Sequence, residues 1–231
     1  MSISKVGNNI ESVRRRIADA ASAVGRSADE ITLIAVSKTH PAEAVREAIA
    51  AGQTVFGENK VQEGEWKRPE AGGGEWHLIG HLQSNKSRKA VRVFDVIETV
   101  DSVDLVQRLD RICEEEGREV LRVFVQVDLG GEESKTGAPV TDVPGIITAI
   151  SASKHLVLEG LMTIPPFFDE SEDARPFFAK LRELRDEFAP GKGLSMGMSH
   201  DLEVAIEEGA THVRVGTAIF GSRPVAVSEE G

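Results

Sequence analysis

The stretch Ile31-Thr-Leu-Ile-Ala-Val-Ser-Lys38-Thr-His-Pro41 decides how the chain reads. Residues of mostly apolar, often β-branched character run directly into a lysine, and Pro41 then opens a helix. A short apolar run bounded by breakers predicts a strand buried on both faces, as in parallel sheets. Lys38 falls at the end of that strand, where its stem can pack while its amine sits in a partly dry pocket. Desolvation there favours the neutral, nucleophilic amine. For this segment alone, a lysine that ends a strand and snorkels to water is the alternative.

Outward from that strand the pattern repeats. Residues 41–51 predict a helix closed by Gly52, and Thr54-Val-Phe56 a second strand followed by a helix to about Arg68. Pro69-Glu-Ala-Gly-Gly-Gly74 reads as a flexible turn, not a phosphate loop, because it precedes a strand instead of following one. Further strands are predicted at 76–80, 94–100, 119–128, 156–162, 193–196 and 212–215. Helices fall between them, from about Ser84 and over 102–116, 143–153, 171–188 and 200–208. Upstream, Val6, Ile10, Val13, Ile17 and Val24 share one stripe, which predicts an extra amphipathic N-terminal helix over 3–24.

Strand and helix alternate eight times without a composition break. The expectation is one α/β domain over residues 1–231, folded as a (β/α)8 TIM barrel. An open doubly wound sheet competes, but it would normally show a glycine-rich dinucleotide turn after the first strand, and none is present.

Composition narrows the function classes. With 231 residues and 40% hydrophobic content, the chain can build a sizeable core. A net charge of −11 argues against nucleic-acid and anionic-membrane partners, which need a basic surface. The single cysteine, Cys113, lies at helical spacing with Leu105, Val106, Leu109 and Ile112 and reads as a core residue. It excludes an internal disulfide framework and suits a reducing cytosol. No signal peptide or bilayer-spanning run is present, so a cytoplasmic location is expected. The six histidines show no short ligand spacing, and no metal site is expected.

In such a barrel the site lies at the carboxyl ends of the strands, often with a phosphate held after the last two. Leu194-Ser-Met-Gly-Met-Ser-His-Asp201 leaves the seventh strand through small residues, with Gly197 allowing close approach and Ser199 placed to cap a helix. Val213-Arg-Val-Gly-Thr-Ala-Ile-Phe-Gly221 does the same after the eighth, with Gly216 and Thr217 opening a short turn. Two such helix starts predict an anion cradle; two ordinary caps are the alternative. A lysine at one edge and a phosphate cradle opposite describe a site for pyridoxal phosphate. Along the last strand Arg214 alternates with Val213 and Val215. If the valines pack on the helices, Arg214 points to the barrel axis, towards the pyridine nitrogen. A guanidinium only donates there, which leaves that nitrogen unprotonated and the ring a weak electron sink.

Taken together, Ala35-Val-Ser-Lys-Thr39, Phe56-Gly-Glu-Asn-Lys-Val-Gln-Glu63, Trp76-His-Leu-Ile-Gly-His-Leu-Gln-Ser-Asn-Lys86, Glu132-Glu-Ser-Lys-Thr-Gly137, Gly160-Leu-Met162, Leu194-Ser-Met-Gly-Met-Ser199 and Arg214-Val-Gly-Thr-Ala-Ile-Phe-Gly221 resemble the pyridoxal phosphate homeostasis protein family, whose barrel is like the N-terminal domain of alanine racemase. The resemblance implies a monomeric barrel that binds and buffers the cofactor, delivers it to pyridoxal phosphate-dependent apoenzymes, influences amino-acid balance and has no catalytic residue. It implies Lys38 as the Schiff-base lysine, Asn59 beside the ring and Arg214 facing the ring nitrogen. Ser195, Met196, Gly197, Ser199, Gly216 and Thr217 would surround the phosphate. Two positions depart from the family pattern: Lys60 stands where many members have tyrosine, and His200 where aspartate is common. Racemases built on this barrel use a tyrosine from a second domain, and this chain has none. His40, His81 and His200 are the substitutes near strand ends, so a pyridoxal phosphate-dependent racemase or lyase stays as the alternative. A Schiff-base aldolase using Lys38 without a cofactor is a third reading.

Overall fold

A computed structural model describes residues 4–131 and 136–222. Its centre is a closed parallel barrel of eight strands in chain order: β1 Thr32–Val36, β2 Val55–Glu58, β3 Glu75–Leu78, β4 Val96–Val100, β5 Leu121–Gln126, β6 Leu156–Met162, β7 Gly193–Ser195 and β8 His212–Val215. Pairing of Leu33 with Val213 joins the last strand to the first. The expected TIM-barrel fold is therefore the observed one.

Helices α2 Ala42–Ala50, α3 Val61–Ala71, α4 Ser87–Val93, α5 Val103–Glu116, α6 Val143–Ala152, α7 Arg175–Phe188 and α8 Leu202–Glu207 connect successive strands. A short α9, Thr217–Phe220, follows β8, and α1, Lys5–Ala23, precedes β1. Strand alternation divides the buried residues into two populations. Leu33, Ala35, Phe56, Trp76, Leu78, Ile97, Val123, Leu194, Val213 and Val215 belong to the large apolar layer shared with the helices. The opposite faces fill the barrel with a small apolar group, Val96, Phe124 and Met162 against Ile164, and with polar side chains.

Three expectations are corrected. Helix α1 buries Ile10, Val13, Ile17, Ala20 and Ala21, but Val24 is its C-cap and is 42% exposed, because it lies past the last helical turn. Helix α3 runs through Pro69 to Ala71 and ends at Gly72 with φ 82°. Pro69 gives up one helical hydrogen bond there without ending the helix, and glycine supplies the left-handed cap. Helix α8 begins at Leu202, with Asp201 at its N-cap, so Ser199 does not cap it. Ser199 Oγ instead accepts from the Ala218 amide at 3.4 Å, tying the β7 exit to α9. The motif Glu132–Gly137 lies mostly outside the described residues.

Cys113 is fully buried in the helix layer, and burial pushes its thiol up to about 11. Among the described residues no helix is long and apolar enough to cross a membrane.

Candidate functional site

At the carboxyl ends of the strands lies a cavity of about 520 Å³. Its walls include Lys38 and His40 after β1, Asn59 after β2, Ile79 after β3, and Ser199 and His200 after β7. Arg214 reaches it from β8, and Gly216 and Thr217 from the turn into α9. Six of the nine predicted positions thus share one cavity. Ser195, Met196 and Gly197 are not in its lining: Ser195 is buried between Glu98 and Arg214, Met196 is buried in the apolar layer shared with the helices, and Gly197 packs against α8. Lys60 is exposed at the N-cap of α3 and outside the lining, whereas His200 is in it.

Lys38 is half-buried. Arg214 is almost wholly buried and donates from Nη1 to Ser195 Oγ at 2.6 Å and from Nη2 to the Thr163 carbonyl at 2.8 Å. Ser195 therefore positions the guanidinium from below. Its own hydroxyl donates to Glu98 Oε2 at 2.5 Å. Glu98 Oε1 accepts from His77 Nδ1 at 2.6 Å, His77 Nε2 donates to Glu75 Oε1 at 2.9 Å, and Glu75 Oε2 accepts from Arg122 at 2.5 Å. A single polar chain thus runs from the cavity floor down the barrel axis.

Charges alternate along that chain. Burial works against protonation of His77, but its bonds to Glu75 and Glu98 win and hold it at about 9. His77 lowers Glu75 to about 2, with Arg122 adding to the effect against burial. Burial of Glu98 opposes its charge, yet His77 and Arg214 keep its carboxyl below the usual range. Neighbouring His212 goes the other way: desolvation pushes it down to about 4.

Gly197 explains its own identity. Its φ is 91°, and a Cβ there would sit 2.5 Å from the Ala205 methyl. Strain and overpacking together predict that Gly197→Ala destabilises the fold by about 2–4 kcal/mol. A thermal melt checks this; an unchanged midpoint would reject the argument.

Sequence reasoning missed the far wall. Ile164, Pro166, Phe167, Phe168, Glu170, Ser171 and Ala174 close the cavity after β6. Phe167 is 77% exposed and stacks near His200, with ring centres 5.7 Å apart. Two phenylalanines directly after Pro165-Pro166, in a segment with no strand or helix period, were the available signal. His40 packs by Phe220 with ring centres 5.3 Å apart, and burial, aided by the Lys67 charge, lowers its pKa. His81 stands near Asp101, half-exposed and outside the lining. Among the described residues no group of three or more His, Cys, Asp and Glu side chains is arranged to hold a metal ion.

Residues 8–224 match the alanine racemase N-terminal domain family. A pyridoxal phosphate homeostasis protein of Pseudomonas aeruginosa is 45% identical over 224 residues, covering 96% of this chain and 97% of that one. The solved structure of PipY from Synechococcus elongatus with PLP bound superposes with a TM-score of 0.77 at 43% identity, over 89% of this chain and all of its own. Alanine racemase from Corynebacterium glutamicum shares the fold at 20% identity and a TM-score of 0.68, covering 98% of this chain and 63% of that one. The barrel, the position of its cavity and these identities over nearly the whole length place the chain in the pyridoxal phosphate homeostasis protein family.

Proposed function

We propose that the cavity holds pyridoxal 5'-phosphate and that the protein keeps and hands on this cofactor without turning over a substrate. One observation carries the reading: an amine, Lys38, and a buried guanidinium, Arg214, share one cavity with the hydroxyls of Ser199 and Thr217. That donor set fits the group. The amine matches an aldehyde, the guanidinium matches a ring acceptor, and two hydroxyls beside Gly216 match a phosphate. At Gly216 a Cβ would come within 3.3 Å of the Val36 carbonyl, so the bare backbone leaves room that a side chain would take.

When bound, the cofactor supplies an aldehyde that condenses with an amine as water leaves. Lys38 would hold it as a Schiff base, Asn59 would lie beside the ring, and Ser199, Gly216 and Thr217 would anchor the phosphate. Ser195, Met196 and Gly197 would act from behind the lining. Arg214, fixed by Ser195 and Thr163, donates and does not accept, which suits retention of the cofactor over carbanion chemistry. Relatives named for pyridoxal phosphate homeostasis, and PipY solved with PLP, support the same reading. Delivery to apoenzymes, a monomeric state and a cytoplasmic location belong to the proposal.

A racemase or lyase is the second reading, favoured by His40 and His200 in the cavity wall. Burial keeps His40 neutral at pH 7, so it could accept a proton. Two measurements test the choice. Borohydride treatment of the loaded protein should fix the cofactor's mass on residue 38. Incubation with alanine or serine in deuterated water should give no catalytic exchange at the α-carbon; sustained exchange would establish an enzyme.

A further inference from the structure

The residues on either side of Lys38 are held by a buried ion cluster that the cavity itself does not need. Lys67 on α3 has no exposed side-chain surface. Its ammonium donates to the Ser37 carbonyl at 2.9 Å, to Glu58 Oε1 at 2.6 Å and to Glu63 Oε2 at 3.4 Å. Glu58 Oε1 also accepts from Ser37 Oγ at 2.6 Å, and Glu63 Oε2 accepts from the Thr39 amide at 2.8 Å. One ammonium and two carboxylates, from β2 and α3, therefore grip the chain immediately before and immediately after Lys38.

The grip coincides with backbone strain. Thr39 has φ 66° and is the one non-glycine residue with positive φ among the described residues. A β-branched residue avoids this region, so an outside contact has to hold it there. Stability gives little reason for the cluster, since a buried ion pair can often be replaced by apolar side chains at no loss. What the cluster does secure is the direction in which residue 38 leaves the strand end.

We propose that Glu58, Lys67 and Glu63 are positioning residues for Lys38, fixing the turn at residues 37–39 so that its amine is aimed into the cavity before an aldehyde ligand arrives. The inference rests on the reading of Lys38 as the covalent anchor. Ordering the amine in advance lowers the cost of forming the bond. It leaves the phosphate end of the site untouched.

Glu63 is the residue to change, because it is partly exposed and its truncation spares the buried Lys67–Glu58 pair. The probes are pyridoxal 5'-phosphate and pyridoxine 5'-phosphate, which carries an alcohol in place of the aldehyde. Glu63→Ala should weaken binding of the aldehyde by about tenfold and leave the alcohol within about twofold. Glu63→Gln keeps an oxygen acceptor and should stay within about threefold of wild type for both ligands. Adding Thr39→Gly to Glu63→Ala should recover most of the loss, because glycine adopts the turn unaided. The inference is overturned if Glu63→Ala binds the aldehyde like wild type, or if both ligands weaken together. A wild-type protein that yields no borohydride-fixed adduct on residue 38 overturns the reading of Lys38 and this inference with it.

Discussion

Lys38→Ala is expected to bind pyridoxal 5'-phosphate roughly a hundredfold more weakly than wild type, equivalent to about 2.7 kcal/mol, and to retain no borohydride-fixed cofactor. The residual affinity is the informative part. Arg214 is held by Ser195 and the Thr163 carbonyl, and Gly216 and Thr217 are set by the β8–α9 turn, so neither depends on the lysine. Pyridoxine 5'-phosphate, unable to bond covalently, should bind the variant and wild type alike. Two results would defeat the expectation: equal aldehyde affinity in both proteins, which makes the amine idle, or complete loss of both ligands, which removes the independent anchor. Total loss would also contradict the separation of two edges on which the proposed retention and release depend.

The alternation of apolar runs with amphipathic helices made the barrel legible, because strands of a parallel barrel are buried on both faces and helices on one. The site was legible where it rests on strand-end chemistry: Lys38, Arg214, Gly216 and Thr217 all follow from a residue type at a strand's carboxyl end. Ser199 was placed in the right loop for the wrong reason, since the helix it was to cap starts at Leu202 and its hydroxyl serves α9 instead. Ser195 shows the limit of the local reading. Its neighbours point to a phosphate loop, but its partners are Glu98 and Arg214, which lie 97 and 19 residues away in sequence. The axial chain was hidden for the same reason. Glu75, His77, Glu98 and Arg122 stand on four positions of three strands that read as apolar runs, and only their shared inward face reveals them as one network. Charges on alternate positions of otherwise buried strands were the signal.

That network predicts an unusual pH dependence for the ligand-free protein. His77 rises from 6.5 unfolded to about 9 folded, so it contributes stability that is complete below pH 6.5 and lost as pH climbs through 9. For this almost fully buried ring the span corresponds to about 3 kcal/mol. The groups facing it are Glu75, Glu98 and His212, with Arg214 acting on Glu98 and His212 from beyond them. Of these, Glu75 and Glu98 are ionised throughout the window, His212 is held neutral by desolvation, and Arg214 stays charged. His212, lowered from 6.5 to about 4, adds stability above pH 6.5 that is lost on acidification through 4. Stability should therefore peak near pH 6–7 and fall on both sides. Urea unfolding at pH 6.5 and pH 9.5 should show the alkaline loss. His77→Gln should be less stable at pH 6.5 by about 3–5 kcal/mol, since buried Glu98 loses its hydrogen-bonded counter-charge and keeps only Arg214, reached through Ser195. It should also flatten the alkaline limb. A wild-type profile that is level from pH 6.5 to 9.5, or a variant that keeps the same slope, would show that the axial histidine is not the charged centre of the barrel. In that case Glu98 could not be held ionised by His77, and the anchoring of Ser195 and Arg214 beneath the cavity would need another source.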